Sequence, residues 1–209
     1  MKKILAVDDQ QDILFTLEAI AEVADLNLKT TASGLDALKQ IKNNKFDLLL
    51  VDYHMPDING LKLVKKIRKI NEEITILVLT VDESLDLAEK FLEAGADDFA
   101  NKPIKTADLI SRIKLHLSYS PQLEHKDSAI KDLDIPKGMT LKTLSIIFDY
   151  LKEKEKAETI SQISAGTNLA YQTVHRYLNY LNDENLAKVK LNYGQIGRPV
   201  HHYQLTSKI

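Results

Sequence analysis

The sequence predicts an α/β protein: a five-stranded, doubly wound parallel sheet followed by a smaller, mostly helical domain that ends in a β-hairpin. Three observations carry this expectation. Short, continuous runs of Val, Ile and Leu recur, as in strands buried on both faces. Amphipathic helical patterns separate them, so strand and helix alternate five times. The apolar runs end on residues that bear chemistry.

The first run, Lys3-Ile-Leu-Ala-Val7, leads into Asp8-Asp9. A helical stretch from Asp12 to Ala24 follows, with Ile13, Leu14, Leu17, Ile20 and Ala21 at helical spacing. Ser33 caps a second helix with Leu35, Leu38 and Ile41 inside. The run from Phe46 to Val51 leads into Asp52. Asn59-Gly60 opens a helix with Leu61, Val64, Ile67 and Ile70. The run from Ile74 to Leu79 leads into Thr80, and Asp82 to Glu93 is helical with Leu85, Ala88 and Leu92. Ala96 to Ala100 leads into Asn101-Lys102-Pro103, and Thr106 to Leu117 closes the series with Leu109, Ile113 and Leu117.

In an open α/β sheet, ligands bind in the crevice beyond the carboxyl ends of the strands. Asp8, Asp9, Asp52, Thr80 and Lys102 therefore converge on one rim, an arrangement no core requires. Clustered carboxylates repel one another unless a cation neutralises them. An all-oxygen donor set suits Mg²⁺, which keeps several waters and accepts a phosphate oxygen. A carboxylate can also attack phosphorus and form an aspartyl phosphate. Asp52 ends the central strand and is the candidate nucleophile. Lys102 brings an ammonium and Thr80 a hydroxyl to the phosphoryl oxygens.

The C-terminal part reads as three helices and two strands. Thr140 caps a helix from Leu141 to Lys152 with Leu144, Ile147, Phe148 and Leu151 inside. Glu158 to Ala165 forms a short helix, Gly166-Thr-Asn168 a turn, and Ala170 to Asp183 a longer helix with Val174, Leu178 and Leu181 buried. Two helices joined by a short Gly-containing turn indicate a helix-turn-helix, whose second helix enters the major groove. Its outer face is expected to carry Tyr171, Gln172, Thr173, His175, Arg176 and Asn179. Gln suits adenine, and Arg suits guanine or phosphate. Ala187 to Leu191 and Val200 to Leu205 alternate like half-buried strands. The loop between them is a candidate wing, with Arg198 at its tip reaching phosphate or minor groove.

The chain has 209 residues, enough for two modest domains. The boundaries read as 1–120, a polar linker at 121–136, and 137–209. The linker reads equally as flexible chain or as a part-helical segment using Leu123, Ile130, Leu133 and Ile135. The net charge of −2 is uneven: residues 1–120 carry −4, 121–136 carry −2 and 137–209 carry +4. A small positive excess suits a nucleic-acid partner weakly. There is no Cys, which excludes disulfides and thiolate metal sites and suits a reducing compartment. The first residues enter a strand at once without a signal-peptide pattern. No apolar run reaches membrane-spanning length, so the expected location is cytoplasmic without membrane insertion.

Residues 1 to about 120 resemble the receiver domain of bacterial response regulators. The resemblance rests on Val7-Asp8-Asp9, Val51-Asp52 through Pro56-Asp57, Asn59-Gly60, Leu79-Thr80, Gly95-Ala96-Asp97-Asp98-Phe99 and Lys102-Pro103. It implies a flavodoxin-like receiver and phosphotransfer from a sensor histidine kinase to Asp52. It also implies Mg²⁺ held by Asp9, Asp52 and the backbone carbonyl of Tyr53, with Asp8 in support. Thr80 and Phe99 match its switch pair, and Lys102-Pro103 its cis bond. Val81 stands where that family usually has a small residue and is expected to narrow access to Asp52. His54 and Asp82, two positions past the Asp and the Thr, are expected to tune the phosphate lifetime.

Residues 135 to 206 resemble the winged-helix output domain of the citrate and C4-dicarboxylate group of response regulators. The carriers are Ile135-Pro-Lys-Gly138, Thr173 through Leu181, Tyr193-Gly-Gln-Ile-Gly-Arg-Pro199 and Tyr203-Gln-Leu205. Ala170 replaces the usual helix-capping Ser, a role Asn168 is expected to assume, and Tyr171 stands where Arg is common. Together the two resemblances imply a response regulator that binds duplex DNA and controls transcription of citrate or dicarboxylate genes; a homodimer favoured by phosphorylation is expected, with no metabolite turned over. A receiver-regulated protein- or RNA-binding output is the alternative, and salt-dependent binding of duplex DNA separates the two.

Overall fold

The computed structural model describes residues 2–82, 84–118, 128–131, 133–136, 138–192 and 200–206. The chain divides into two compact units, Met1–Ser120 and Pro121–Ile209.

The first unit alternates strand and helix: β1 (Lys3–Val7), α1 (Gln11–Val23), β2 (Asn27–Thr31), α2 (Gly34–Asn43), β3 (Leu48–Asp52), α3 (Gly60–Arg68), β4 (Thr75–Thr80), α4 (Leu85–Ala94), β5 (Asp98–Asn101) and α5 (Thr106–Ser118). The strands form one parallel sheet in the order β2-β1-β3-β4-β5. β3 and β4 are buried along their whole length, which their unbroken apolar sequences require. β2 lies at the edge and carries Leu28 as its only large apolar residue, so no apolar run announces it.

Helix starts follow local chemistry. The side chains of Ser33, Asn59 and Ser84 accept hydrogen bonds from the backbone N–H groups of Asp36, Lys62 and Leu87. α4 ends at Gly95, whose φ of 104° lies in the left-handed region that glycine reaches without strain. One core cluster joins β1, β3 and β4 to α1 and α5 through Ile4, Ala6, Leu17, Leu48, Leu50, Leu77, Leu109 and Ile113.

The second unit contains α6 (Ser128–Lys131), α7 (Leu141–Lys152), β6 (Glu158–Thr159), α8 (Ile160–Thr167), α9 (Tyr171–Asp183), β7 (Ala187–Asn192) and β8 (Val200–Leu205). Its antiparallel sheet has the order β6-β8-β7. Leu144, Ile147, Phe148 and Leu151 of α7 are buried, as their spacing predicts.

Two expectations are corrected. The helix expected from Glu158 begins at Ile160, because Glu158 and Thr159 pair with Tyr203 and His202 of β8 as a third strand. Thr159 is then the N-cap, in a reciprocal capping box with Gln162. Asn168 does not cap α9. It adopts the left-handed conformation that ends α8, with φ 58°, and Ala170 begins α9 without a side-chain cap.

The wing loop at 193–199, including Arg198, lies outside the described residues, as do 119–127 of the linker region. The described part of the linker packs on the second unit: Ile130 is buried and α6 contacts α7.

Candidate phosphoryl-transfer site and DNA-reading helix

Strand register builds the site. Val7 at the end of β1 is level with Val51 of β3, so Asp8 and Asp52 are neighbours on adjacent strands. Asp52 is level with Leu79 of β4, and Thr80 with Asn101 of β5. Adjacent strands lie about 4.8 Å apart, so Asp8, Asp52, Thr80 and Lys102 share one rim. The strand order reverses between β1 and β3, the usual place for a ligand crevice.

Carboxylate oxygens of Asp8, Asp9 and Asp52 all lie within 4.8 Å of one another, with Asp8 and Asp52 buried and Asp9 exposed. The Lys102 ammonium donates to Asp8 Oδ2 and to Asp52 Oδ1, both at 2.6 Å. Three carboxylates against one ammonium leave the cluster with two excess negative charges, which fits a divalent cation. Asp52 Oδ2 is buried and has no hydrogen-bond partner among the described residues. These donors are hard oxygens, the set that suits Mg²⁺.

Burial pushes the Asp8 carboxyl above the ordinary carboxylate value, against hydrogen bonds from Lys102 and the Gln10 N–H. Burial also works against the Lys102 charge, but the bonds to Asp52 and Asp8 win and raise its pKa. The Tyr53 carbonyl accepts from the Gly60 N–H at 2.9 Å, which uses one of its two lone pairs. Gly60 cannot be larger, because a Cβ there would lie 2.2 Å from the Asp52 carbonyl oxygen. The bond between Lys102 and Pro103 is cis.

The expected switch residues are in view. Thr80 Oγ1 accepts from the Asp82 N–H at 3.0 Å, so the hydroxyl is engaged by its own loop. Phe99 is 4% exposed and meets Phe91 edge to face, and Phe91 meets Tyr53 the same way. Val81, next to Thr80, is 65% exposed. His54 is exposed, and hydrogen bonding from Ser84 holds the nearby Asp82 carboxyl below its ordinary value.

Sequence patterns missed the role of Asp57. Its carboxylate accepts from Ser33 Oγ at 2.7 Å and from the N–H groups of Gly34, Leu35 and Ile58. It thereby pins the loop after β3 to the start of α2. Burial opposes its charge, but those bonds outweigh it and bring the carboxyl down to about 2. Its folded pKa lies below its unfolded one, so the stability it adds is present above the unfolded value and is lost as pH falls through about 2. Asp57→Asn is expected to cost about 1 kcal/mol near neutral pH. Urea denaturation checks this, and the deficit should shrink as the pH approaches that lower limit.

In the second unit, Tyr171 and Asn179 of α9 are exposed, and Gln172, His175 and Arg176 are half-buried. The Tyr171 and His175 rings stack at 6.4 Å. Thr173 does not belong on the outer face. It is fully buried, because it precedes Tyr177 by one helical turn and shares the inner stripe with it.

Comparison with known proteins gives the class. Residues 4–114 match the response regulator receiver domain, and residues 142–208 match the winged helix-turn-helix. The chain belongs to the response regulators, with a receiver domain followed by a winged helix-turn-helix output domain, and is a DNA-binding transcription regulator of the two-component type. Receiver domains generally bind Mg²⁺ at an acidic pocket and imply a histidine kinase partner, and a winged helix-turn-helix implies DNA.

Among similar curated proteins is the probable C4-dicarboxylate response regulator DctR of Bacillus subtilis (strain 168), 26% identical, with 97% of this chain and 96% of that protein covered. The transcriptional regulatory protein MalR of the same organism is 28% identical, with 90% and 87% covered. The receiver domain protein from Methanospirillum hungatei JF-1 is similar in structure, with TM-score 0.54, 33% identity, and 56% of this chain and 94% of that one covered. The beryllofluoride-activated NtrC4 receiver domain dimer is also similar, with TM-score 0.54, 27% identity, and 56% and 98% covered. Among the described residues no helix is long and apolar enough to cross a membrane.

Proposed function

We propose that Asp52 is the phosphoacceptor, that a sensor histidine kinase supplies the phosphoryl group, and that phosphorylation controls binding to operators of citrate or C4-dicarboxylate uptake or metabolism genes in the cytoplasm. The carrying observation is the state of Asp52: Oδ1 is held by Lys102, and Oδ2 is buried without a hydrogen-bond partner among the described residues. Oδ2 is the nucleophile. Its electron pair forms the new bond to phosphorus, the phosphorus–nitrogen bond of the phosphohistidine breaks, and that electron pair returns to the imidazole. The Lys102 ammonium already contacts Asp52 Oδ1 and is placed to meet the phosphoryl oxygens. Asp8, Asp9, Asp52 and the Tyr53 carbonyl would hold Mg²⁺, which when bound offsets the charge that these carboxylates and the phosphoryl group bring together.

Thr80 is the hydroxyl that exchanges its Asp82 partner for the phosphoryl group, with Phe99 as the aromatic half of the switch. The chain's own chemistry is confined to gaining and losing this phosphoryl group. His54 and Asp82 flank the rim and orient the hydrolytic water. His54→Ala or Asp82→Ala is expected to slow dephosphorylation severalfold in a phosphate-release assay, and unchanged rates would count against that role.

On DNA, α9 presents Tyr171, Gln172, His175, Arg176 and Asn179 to base edges and backbone, with Arg198 of the wing on phosphate. The dicarboxylate assignment rests on the family resemblance and on relatives named as C4-dicarboxylate response regulators. Homodimerisation is supported by the similar receiver whose structure is a dimer, and the face proposed for it here is that of α4, β5 and α5. Asp86 already pairs with Lys90, and Arg112 with Asp98 and Asp108, while Phe99 is buried. Lys105 and Lys114 are the exposed cations that remain of that face for a partner chain.

The test is selection of genomic fragments by the purified protein with Mg²⁺ and beryllofluoride, beside Asp52→Ala. Asp52-dependent enrichment of promoters before dicarboxylate genes is expected. Enrichment that ignores Asp52 would remove phosphorylation as the gate.

A further inference from the structure

The candidate DNA-reading helix holds the segment that leads in from the receiver. α9 leaves Asn179 exposed and Gln172, His175 and Arg176 half-buried, and buries Val174, Tyr177, Leu178 and Leu181. Two tyrosines one turn apart, Tyr177 and Tyr180, reach back to residues 128–140. The buried Tyr177 hydroxyl accepts the N–H of Thr140, the N-cap of α7, at 2.8 Å. The Tyr180 hydroxyl donates to the backbone carbonyl of Asp134 at 3.1 Å. Ile130, 1% exposed, anchors the same segment where α6 meets α7.

Phe would fill the same volume in a core without needing a polar partner, so these hydroxyls are specific to the backbone they hold. Displacement of the chain at 128–136 therefore acts on α9 through Asp134 and Tyr180, as well as on α7 through α6.

We propose that Tyr180 is a positioning residue, which, with Ile130, ties the interdomain segment to the DNA-reading helix and makes its affinity for DNA depend on the state of the receiver. The inference rests on the reading that phosphorylation gates DNA binding. On this proposal the bond between Tyr180 and Asp134 belongs to the resting form, and activation releases it. Coupling of this kind requires a contact that differs between the two states, and this bond is that contact.

The experiment measures affinity of the full chain for a selected operator by fluorescence anisotropy, with and without beryllofluoride and Mg²⁺. The parent, Tyr180→Phe, Tyr180→Phe with Ile130→Ala, and Tyr150→Phe are compared. Tyr150 is the matched control: its hydroxyl donates to Glu158 elsewhere in the same unit. The ratio of activated to resting affinity is expected to fall severalfold in Tyr180→Phe, and further in the double variant, because the resting form binds more tightly. Tyr150→Phe is expected to keep the parent ratio, and thermal melting verifies that all variants are folded. An unchanged ratio in both Tyr180 variants overturns the inference. So does equal weakening of both forms, an equal loss of ratio in Tyr150→Phe, or a ratio lost by weakening of the activated form. A parent ratio of one overturns the phosphorylation gate itself, and the inference with it.

Discussion

Lys102→Ala is expected to destabilise the receiver by about 3–5 kcal/mol at neutral pH in the absence of divalent cations, the usual cost of removing one partner from a buried ion pair. The side chains involved are 8% exposed for Lys102, 0% for Asp8 and 4% for Asp52. The ammonium makes both bonds at 2.6 Å, so its removal leaves two buried carboxylates facing each other with the third, Asp9, close by. Substitution of all partners by apolar residues can be neutral, but substitution of one strands the others. Equilibrium urea denaturation measures the loss, and addition of Mg²⁺ should recover part of it. A loss below about 1 kcal/mol would mean that water already screens the cluster, and a loss that Mg²⁺ leaves untouched would mean that the three carboxylates do not form a cation site.

Acid should narrow the same deficit. Burial holds the Asp8 pKa above its unfolded value. The stability linked to its protonation is therefore fully present below the unfolded pKa and is lost as pH rises through the folded one. Without Lys102 that folded pKa rises further, because a hydrogen bond and a positive charge that lower it are gone. The variant's penalty is then largest near neutral pH and shrinks as Asp8 takes up a proton. Asp57 has the opposite sign, since its carboxyl is held down near 2 by donors at the start of α2. The two carboxylates pull the stability profile in different directions, and Asp57→Asn and Lys102→Ala separate them.

The parts of this molecule legible from sequence are those in which local pattern and tertiary demand coincide. β3 and β4 are central, buried on both faces and correspondingly unbroken in apolar character. Because parallel strands in register end together, Asp8, Asp52 and Thr80 could be placed on one rim before any distance was known. β2 was not individually legible, since Asn-Leu-Lys-Thr-Thr at a sheet edge satisfies only one apolar contact layer. β6 has two residues and exists only because β8 pairs with it, although Thr159-x-x-Gln162 was a usable capping signal for where α8 begins. Thr173 misled because a hydroxyl suggests an outer face, whereas its helical phase places it inside. The anchoring of Asp57 joins residues 22 to 24 positions apart, and no local pattern encodes such a contact.

Asp52→Asn is expected to abolish phosphorylation while leaving the receiver folded. The amide keeps the size of the carboxylate, and its oxygen can still accept from Lys102, as Oδ1 does now. It offers no carboxylate oxygen to attack phosphorus, so the nucleophile is lost while the surrounding packing stays. Phosphate-affinity electrophoresis after incubation with acetyl phosphate and Mg²⁺ should show no shifted band, and circular dichroism should retain the parent spectrum. The rim also provides an internal competitor. Asp9 is exposed and its carboxylate lies within 4.8 Å of the cluster, so it has better access than Asp52 and less burial. Access alone would favour Asp9, and residual phosphorylation of Asp52→Asn that disappears in an Asp9 double variant would show that access decides. Complete loss in the single variant would show instead that the reacting oxygen must be desolvated and fixed beside Lys102. Asp52 Oδ2 meets that condition: it is buried without a hydrogen-bond partner among the described residues, on a carboxylate whose other oxygen is already clamped.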